Sequence, residues 1–166
     1  LRTFSSSAIG LNELAFLLWS GQGITAQAGK HYLRTAPSAG AVYPIETYLS
    51  IQNVEGIIPG LYHLNPLLFE LESLKEIDLK ADISRAFLNQ RFMEKAAVNI
   101  IWTAVSRRSL AKYGERGGRY LLLDAAHICQ NVLLAAEAID CGGCPVAAFY
   151  DQEVNEMLEV DGIEET

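Results

Sequence analysis

The stretch YLLLDAAHICQNVLLAAEAI, Tyr120 to Ile139, restricts the fold more than any other part of the chain. Leu121, Ala125, Ile128, Val132, Ala135 and Ile139 recur at helical spacing and form one apolar stripe. Leu122, Ala126, Cys129, Leu133 and Ala136 form a second, so apolar surface covers most of the circumference. A helix of this kind belongs at the centre of a core or in a dimer interface. It fails as a membrane span, because Asp124, His127, Gln130, Asn131 and Glu137 interrupt it. His127, on a nearly apolar helix, is expected to be a core histidine with its hydrogen bonds satisfied.

Around this element the pattern predicts both helices and strands. GLNELAFLLWSGQGI predicts a helix capped by Asn12, with Leu14, Leu17 and Leu18 inward and Gly21 and Gly23 ending it. A polar loop of Gly, Gln and Ala follows. From Ile45 to Gln52 the residues alternate, with Ile45, Thr47, Leu49 and Ile51 on one face and Glu46, Tyr48, Ser50 and Gln52 on the other. That predicts a strand buried on one face. LYHL and LFELE flank Asn65-Pro66, which is hairpin chemistry. DISRAFLNQ has a helical pattern, and VNIIWTAV is continuous and β-branched, as expected of a strand buried on both faces. After the Gly-rich break DCGGCP come VAAFY and a short helix around Gln152 to Leu158. Strands and helices without regular βαβ alternation predict an α+β fold, and the absence of repeats or linkers predicts a single domain, 1–166.

Composition removes several classes of function. A net charge of -7 with scattered Lys and Arg argues against a nucleic-acid or anionic-membrane partner, because counterion release needs clustered cations. Three cysteines make no disulfide framework and fit a reducing, cytoplasmic setting. No signal peptide opens the chain; it starts abruptly at LRTF and stops at IEET, so both ends are expected to be cut.

Four groups of residues could carry chemistry. Cys141-Gly-Gly-Cys144 follows a helix C-terminus, whereas a redox dithiol of that spacing usually opens a helix, and no second CxxC completes a zinc set. A Gly-rich turn with two small buried sulfurs is expected, and no metal. His31 falls in a polar loop and His63 in a hairpin strand, and no Ser-His-Asp or HxxxH spacing supports a hydrolase or metalloenzyme. In SRRSLAKYGERGGRY, Arg107, Arg108, Lys112, Arg116 and Arg119 accompany Tyr113 and Tyr120. Taken alone this is a solvated helix end; only in a desolvated pocket does a lysine become a base. Neither GxGxxG nor a Walker A loop occurs. What remains is two loops of small residues, Pro37-Ser38-Ala39-Gly40 within RTAPSAGAVYPIETY and Pro145-Val146-Ala147-Ala148. Bare backbone in two places suits a planar heteroaromatic cofactor, which needs close stacking and N–H donors.

In order along the chain, NELAFLLWSGQGIT, RTAPSAGAVYPIE, NVEG, GLYHLNP, KYGERGGRYLLLDAAHICQNVLLAAEAI and GGCPVAAF resemble the FMN-dependent nitroreductase superfamily. Within it they are most similar to the SagB-type branch, dehydrogenases that oxidise thiazolines and oxazolines of ribosomal peptides to thiazoles and oxazoles. The resemblance implies a nitroreductase-like α+β fold: a mixed or antiparallel sheet flanked by helices, a long central helix and an intertwined homodimer. It also implies two FMN sites, each built from both subunits. Arg2 matches the second arginine of the family's N-terminal phosphate-binding segment. Pro37, Ser38 and Ala39 match the loop that lies against the flavin ring, reached from the partner subunit. Pro145, Val146, Ala147 and Ala148 match the loop whose backbone faces the flavin N5 and O4 edge. Ala41 and Tyr43 stand where the family usually has Asn and Gln, and Ala147-Ala148 replace the commoner Gly-Gly, leaving less room beside N5. Lys112 and Tyr113 match the branch's Lys-Tyr pair, to which proton abstraction is ascribed. The chain stops before the family's final strand and basic tail.

The implied function is oxidation of a peptide azoline: Lys112 or Tyr113 removes the Cα proton while hydride passes to flavin N5. Two other readings stay open. One is a reductase in which NAD(P)H reduces FMN and a nitroaromatic, quinone or free flavin takes the electrons. The other is a non-catalytic flavin-binding scaffold subunit of a peptide-modifying complex.

Overall fold

In the computed structural model, which describes residues 2–166, α1 (Leu11–Gln22) leads into a hairpin of β1 (Ile24–Ala28) and β2 (His31–Arg34). Three strands follow, β3 (Ile45–Ile51), β4 (Gly60–Asn65) and β5 (Glu70–Lys75), then α2 (Lys80–Ala86) and β6 (Val98–Ala104). The chain ends with α3 (Ser106–Tyr113), the long α4 (Gly117–Ala138) and α5 (Asp151–Leu158). The main sheet is antiparallel throughout, in the order β5-β4-β3-β6. This is the α+β architecture expected from the sequence.

The sheet is covered on both sides. Leu49 and Ile51 of β3 pack with Leu14 and Leu18 of α1 and with Tyr62 and Leu64 of β4. Tyr48 points the other way, into a second core with Leu61, Ile83, Phe87, Ile101, Val154 and Leu158. The alternation in β3 predicts one buried face; α2 and α5 bury the other, with the Tyr48 ring as its apolar contribution. Strand β6 departs from expectation in the opposite sense. It lies at the sheet edge and alternates buried with half-buried residues. Its continuous apolar run serves three different cores, with Val98 and Ile100 in one, Ile101 in another and Trp102 and Ala104 in a third.

Helix α1 differs from prediction at both ends. Its cap is Gly10, not Asn12, and the Gly10 N–H donates to the Glu13 carboxylate at 2.6 Å. A Glu at the third helical position thus supplies half of a capping box. Gly21 lies inside the helix where α1 crosses α4, and a Cβ there would press on methyls of Val132 and Ile128 at 3.0 and 3.2 Å. Gly23 is the stop. The expected polar loop after it is the β1–β2 hairpin, turned at Gly29-Lys30. Nearly all its residues are exposed, so no apolar period marks it.

Helix α4 buries one stripe, Asp124, Ile128, Ala135 and Ala136, partly against Leu17 of α1. Val132 and Ala125 pack beside that stripe, whereas Leu122, Leu123 and Leu134 face outward, exposed by 75%, 52% and 63%. His127 is exposed too, contrary to the expected core histidine, because it lies off the buried stripe. By length and composition alone, the helical run Ser106–Ala138 could cross a membrane. Its buried stripe is instead packed on α1 and carries a carboxylate that a loop engages. Cys141 and Cys144 are half-buried free thiols, with the Cys141 pKa raised mainly by burial. Among the described residues no three His, Cys, Asp or Glu side chains converge as metal ligands.

One polar row crosses the sheet. His63 of β4 places Nε2 3.2 Å from Glu46 of β3 and Nδ1 3.1 Å from Glu72 of β5. The hydrogen bond to Glu46 is the main cause that raises the His63 pKa above its ordinary 6.5, with burial opposing it and Glu72 assisting. For Glu46, burial is the largest influence and pushes upward, but His63 and Arg108 together outweigh it and hold the pKa low. Folded His63 therefore binds its proton more tightly than unfolded His63. The stability it adds is complete below pH 6.5 and is lost as the pH rises through the folded value. His63→Gln is expected to destabilise the protein most at about pH 5.5, with a deficit that shrinks toward about pH 9. Urea denaturation of both proteins at several pH values checks this; a constant deficit would show that the charge of His63 contributes nothing.

Candidate cofactor and active site

The turn between β2 and β3 has an unusual backbone. Gly40, Ala41 and Tyr43 have left-handed φ values of 63°, 53° and 45°. Glycine adopts these freely, but each of the other two costs about 1–2 kcal/mol. The surroundings hold them there. Asp124 of α4, only 4% exposed, accepts from Ser38 Oγ at 2.5 Å and from the Ala39 N–H at 3.3 Å. Ser38 Oγ in turn accepts the Tyr43 N–H at 3.0 Å, which closes the turn. Arg108 of α3 donates to the Tyr43 carbonyl at 3.0 Å and pairs with Glu46. The Arg34 guanidinium lies 4.6 Å from the Tyr43 ring centroid and donates to Gln22 Oε1 at 2.7 Å.

Lys112 and Tyr113 end α3 against this turn. Lys112 Nζ donates to the Gly40 carbonyl at 2.9 Å, and a Cβ on Gly40 would collide with both Lys112 Nζ and Tyr113 Oη. The Tyr113 ring meets Tyr120 edge-on at 4.8 Å. Two features that are 72 residues apart in sequence thus touch. Proton abstraction by lysine calls for a desolvated side chain, yet Lys112 is exposed and Tyr113 half-buried. The reason is local: Ser109 is the one buried residue of α3, and in its last turn only Tyr113 is partly covered.

The second small-residue loop lies elsewhere. Pro145, Ala147 and Ala148 are exposed, whereas Val146 packs on the core shared by α2 and α5. Gln90 donates to the Ala148 carbonyl at 3.4 Å, and the Phe149 ring meets Phe87 at a tilt of 50°, with centroids 5.4 Å apart. Among the described residues no backbone acceptor meets the N–H groups of Val146, Ala147 or Ala148. Arg2 joins this end, with its guanidinium 5.3 Å from the Phe92 ring, which packs on the same core as Val146.

The sequence-predicted site residues therefore fall into two groups. Pro37, Ser38, Ala39, Lys112 and Tyr113 form one; Arg2 and Pro145 to Ala148 form the other. Each group fits part of FMN. Exposed, unpaired N–H groups suit a ring edge, a small-residue turn suits a ring face, and Arg2 suits a phosphate. Sequence reasoning missed Asp124, counting it only as an interruption of an apolar helix. Its signal is positional: a carboxylate four residues before Ile128 falls on the buried stripe and needs donors there. Arg34, Gln22 and Arg108 were missed as well, because nothing local marks a side chain that braces a distant turn.

The Nitroreductase family model matches residues 1–166. MJ1384 of Methanocaldococcus jannaschii, described as a nitroreductase, is 34% identical over 160 residues, which span 96% of this chain and 79% of that protein. The microcin B17-processing protein McbC of Escherichia coli is 28% identical over 134 residues, 77% of this chain and 49% of McbC. A crystal structure from Anabaena variabilis, also described as a nitroreductase, superposes with a TM-score of 0.82 at 33% identity. The match covers 93% of this chain and 32% of that one. The chain thus spans about half of McbC and about a third of the Anabaena protein.

The contact at Gly40 can be tested against a matched glycine. Gly29 has nearly the same φ, 62° against 63°, but a Cβ there meets nothing within 4 Å. Gly29→Ala is expected to cost only the backbone penalty, about 1–2 kcal/mol. Gly40→Ala must also move the ends of the Lys112 and Tyr113 side chains and break the Lys112–Gly40 hydrogen bond, a further ~0.5–1.5 kcal/mol. Chemical denaturation of the two variants measures the difference, and equal losses would show that the Lys-Tyr pair does not press on the turn in solution.

Proposed function

Because the chain belongs to the nitroreductase family, we propose that it is an FMN-dependent oxidoreductase that works as a cytoplasmic homodimer and oxidises peptide azolines to azoles. The contact of Lys112 and Tyr113 with Gly40 supports this most, since it sets two proton-transfer groups at the edge of a bare turn. Similarity to a microcin-processing protein favours a ribosomal peptide as substrate.

In this reading Arg2 holds the cofactor phosphate and Pro37, Ser38 and Ala39 carry the ring. Ser38 Oγ is already engaged by Asp124 and Tyr43, so this turn offers backbone surface. The N–H groups of Val146, Ala147 and Ala148 meet the ring edge from the other subunit. When bound, FMN would supply the hydride acceptor, with oxygen or another acceptor as the final oxidant. Lys112 Nζ or Tyr113 Oη takes the Cα proton of the azoline. The second subunit covers the outward leucines of α4, Leu122, Leu123 and Leu134, and removes water from around Lys112. The higher identity to MJ1384 favours a second reading, an NAD(P)H-dependent reductase of nitroaromatics, quinones or free flavin.

One measurement decides between them, and a second tests the dimer on which the site depends. In stopped-flow flavin reduction, Lys112→Ala and Tyr113→Phe are expected to retain FMN and lose azoline oxidation by about 10²–10⁴-fold each. Wild-type reduction by NAD(P)H but never by an azoline peptide would favour the reductase, and reduction by neither would favour the scaffold. Sedimentation is expected to show a dimer; a protein that stays monomeric at ~10 μM would remove the shared site, since a contact of this kind buries above about 1,000 Å².

A further inference from the structure

We propose that Asp124 is a positioning residue for this site, fixing the 38–43 turn and through it the placement of Lys112 and Tyr113. Three observations converge on it. Asp124 is nearly completely buried, and among the described residues no Lys, Arg or His forms an ion pair with it. A buried carboxylate without a cation is costly, and an apolar residue would serve helix packing better. Both of its donors belong to one turn: Ser38 Oγ meets one oxygen and the Ala39 N–H the other.

The second observation is what those donors do next. Ser38 Oγ accepts the Tyr43 N–H, so Asp124 holds both ends of the turn, one directly and one through Ser38. The left-handed residues Gly40, Ala41 and Tyr43 lie between or at these fixed points. Third, Gly40 is where Lys112 and Tyr113 rest. Asp124 lies beneath the turn and has no hydrogen bond to either of them, so it acts through the backbone and takes no part in proton transfer. The inference rests on the proposed function only for the meaning of the Lys112–Tyr113 placement.

The test uses the full chain with Asp124→Asn, Ser38→Ala and Ser38→Thr. Asn keeps an acceptor for Ser38 but turns an NH₂ or a weaker acceptor toward the Ala39 N–H. Thr keeps the hydroxyl, and the extended backbone of Ser38 (φ -131°, ψ 139°) accepts a β-branched residue. Amide hydrogen exchange is read first, without cofactor. Asp124→Asn and Ser38→Ala are expected to speed exchange at Ala39 and Tyr43 by about ten- to a hundredfold, with β3 and the α1-facing part of α4 unchanged. FMN titration and stopped-flow reduction by azoline follow. The same two variants should lower kcat by about ten- to a hundredfold with little change in KM, and Ser38→Thr, which keeps the hydroxyl, should restore the exchange protection. Unchanged exchange at Ala39 and Tyr43 in Ser38→Ala would overturn the proposal, and so would faster exchange there that Ser38→Thr does not reverse, or a wild-type kcat in Asp124→Asn despite loosened exchange. If Asp124→Asn does not fold, the two Ser38 variants decide. If the wild type binds no FMN, the proposed function fails while the exchange data still decide whether Asp124 fixes the turn.

Discussion

The pairing of β3 with β6 is the constraint on which the site depends. Its register sets Ile45 opposite Ala104, so the turn that enters β3 and the helix that leaves β6 emerge side by side at one end of the sheet. The Val105 N–H donates to the Pro44 carbonyl at 2.8 Å and ties the two exits together. From there α3 needs two turns to carry Lys112 and Tyr113 to Gly40. A slip of one residue in this register would exchange the two faces of β3, removing Leu49 from one core and Tyr48 from the other. The site is therefore as secure as the packing beneath it.

Charge at this end of the molecule is used for bracing. In an acidic protein, Arg34, Arg108 and Lys112 all converge on residues 40–46. Arg108 reaches a carbonyl and Glu46, Lys112 reaches a carbonyl, and Arg34 covers an aromatic ring. Glu46 passes the network on to His63 and Glu72 across the sheet. The stretch that reads in sequence as a solvated helix end is thus half structural. Arg108 is tied to the sheet, whereas Arg107 makes only an exposed ion pair at 3.7 Å with Glu164.

What was legible in the sequence was whatever had a period or a composition of its own. The apolar circumference of α4, the alternation of β3 and the two small-residue loops could all be read from neighbouring residues. The second buried face of β3 could not, because Tyr48, Ser50 and Gln52 look polar, yet Tyr48 joins the core of α2 and α5 and Gln52 is buried against the 93–97 segment. The β1–β2 hairpin was hidden because an exposed hairpin has no apolar face. Asp124 was seen and misjudged: one carboxylate in an apolar helix looks like a blemish until its donors, 85 and 86 residues away, are known. Residues that contact a ligand are marked by kind; residues that hold them in place are marked only by position.

The division of the site into two groups follows from how the cores are built. Each face of the sheet has its own core within one chain. The outward leucines of α4 and the uncovered end of α3 are the surfaces a single chain leaves unfinished. On the proposed reading these two deficits have one remedy. A second subunit that covers α4 would also bring its 145–148 loop toward the first subunit's 37–40 turn and dry the space around Lys112. Assembly would then supply the water exclusion that proton transfer at Lys112 or Tyr113 calls for, as well as a binding surface. A folded monomer and an active enzyme are, on this account, separated by one desolvation step.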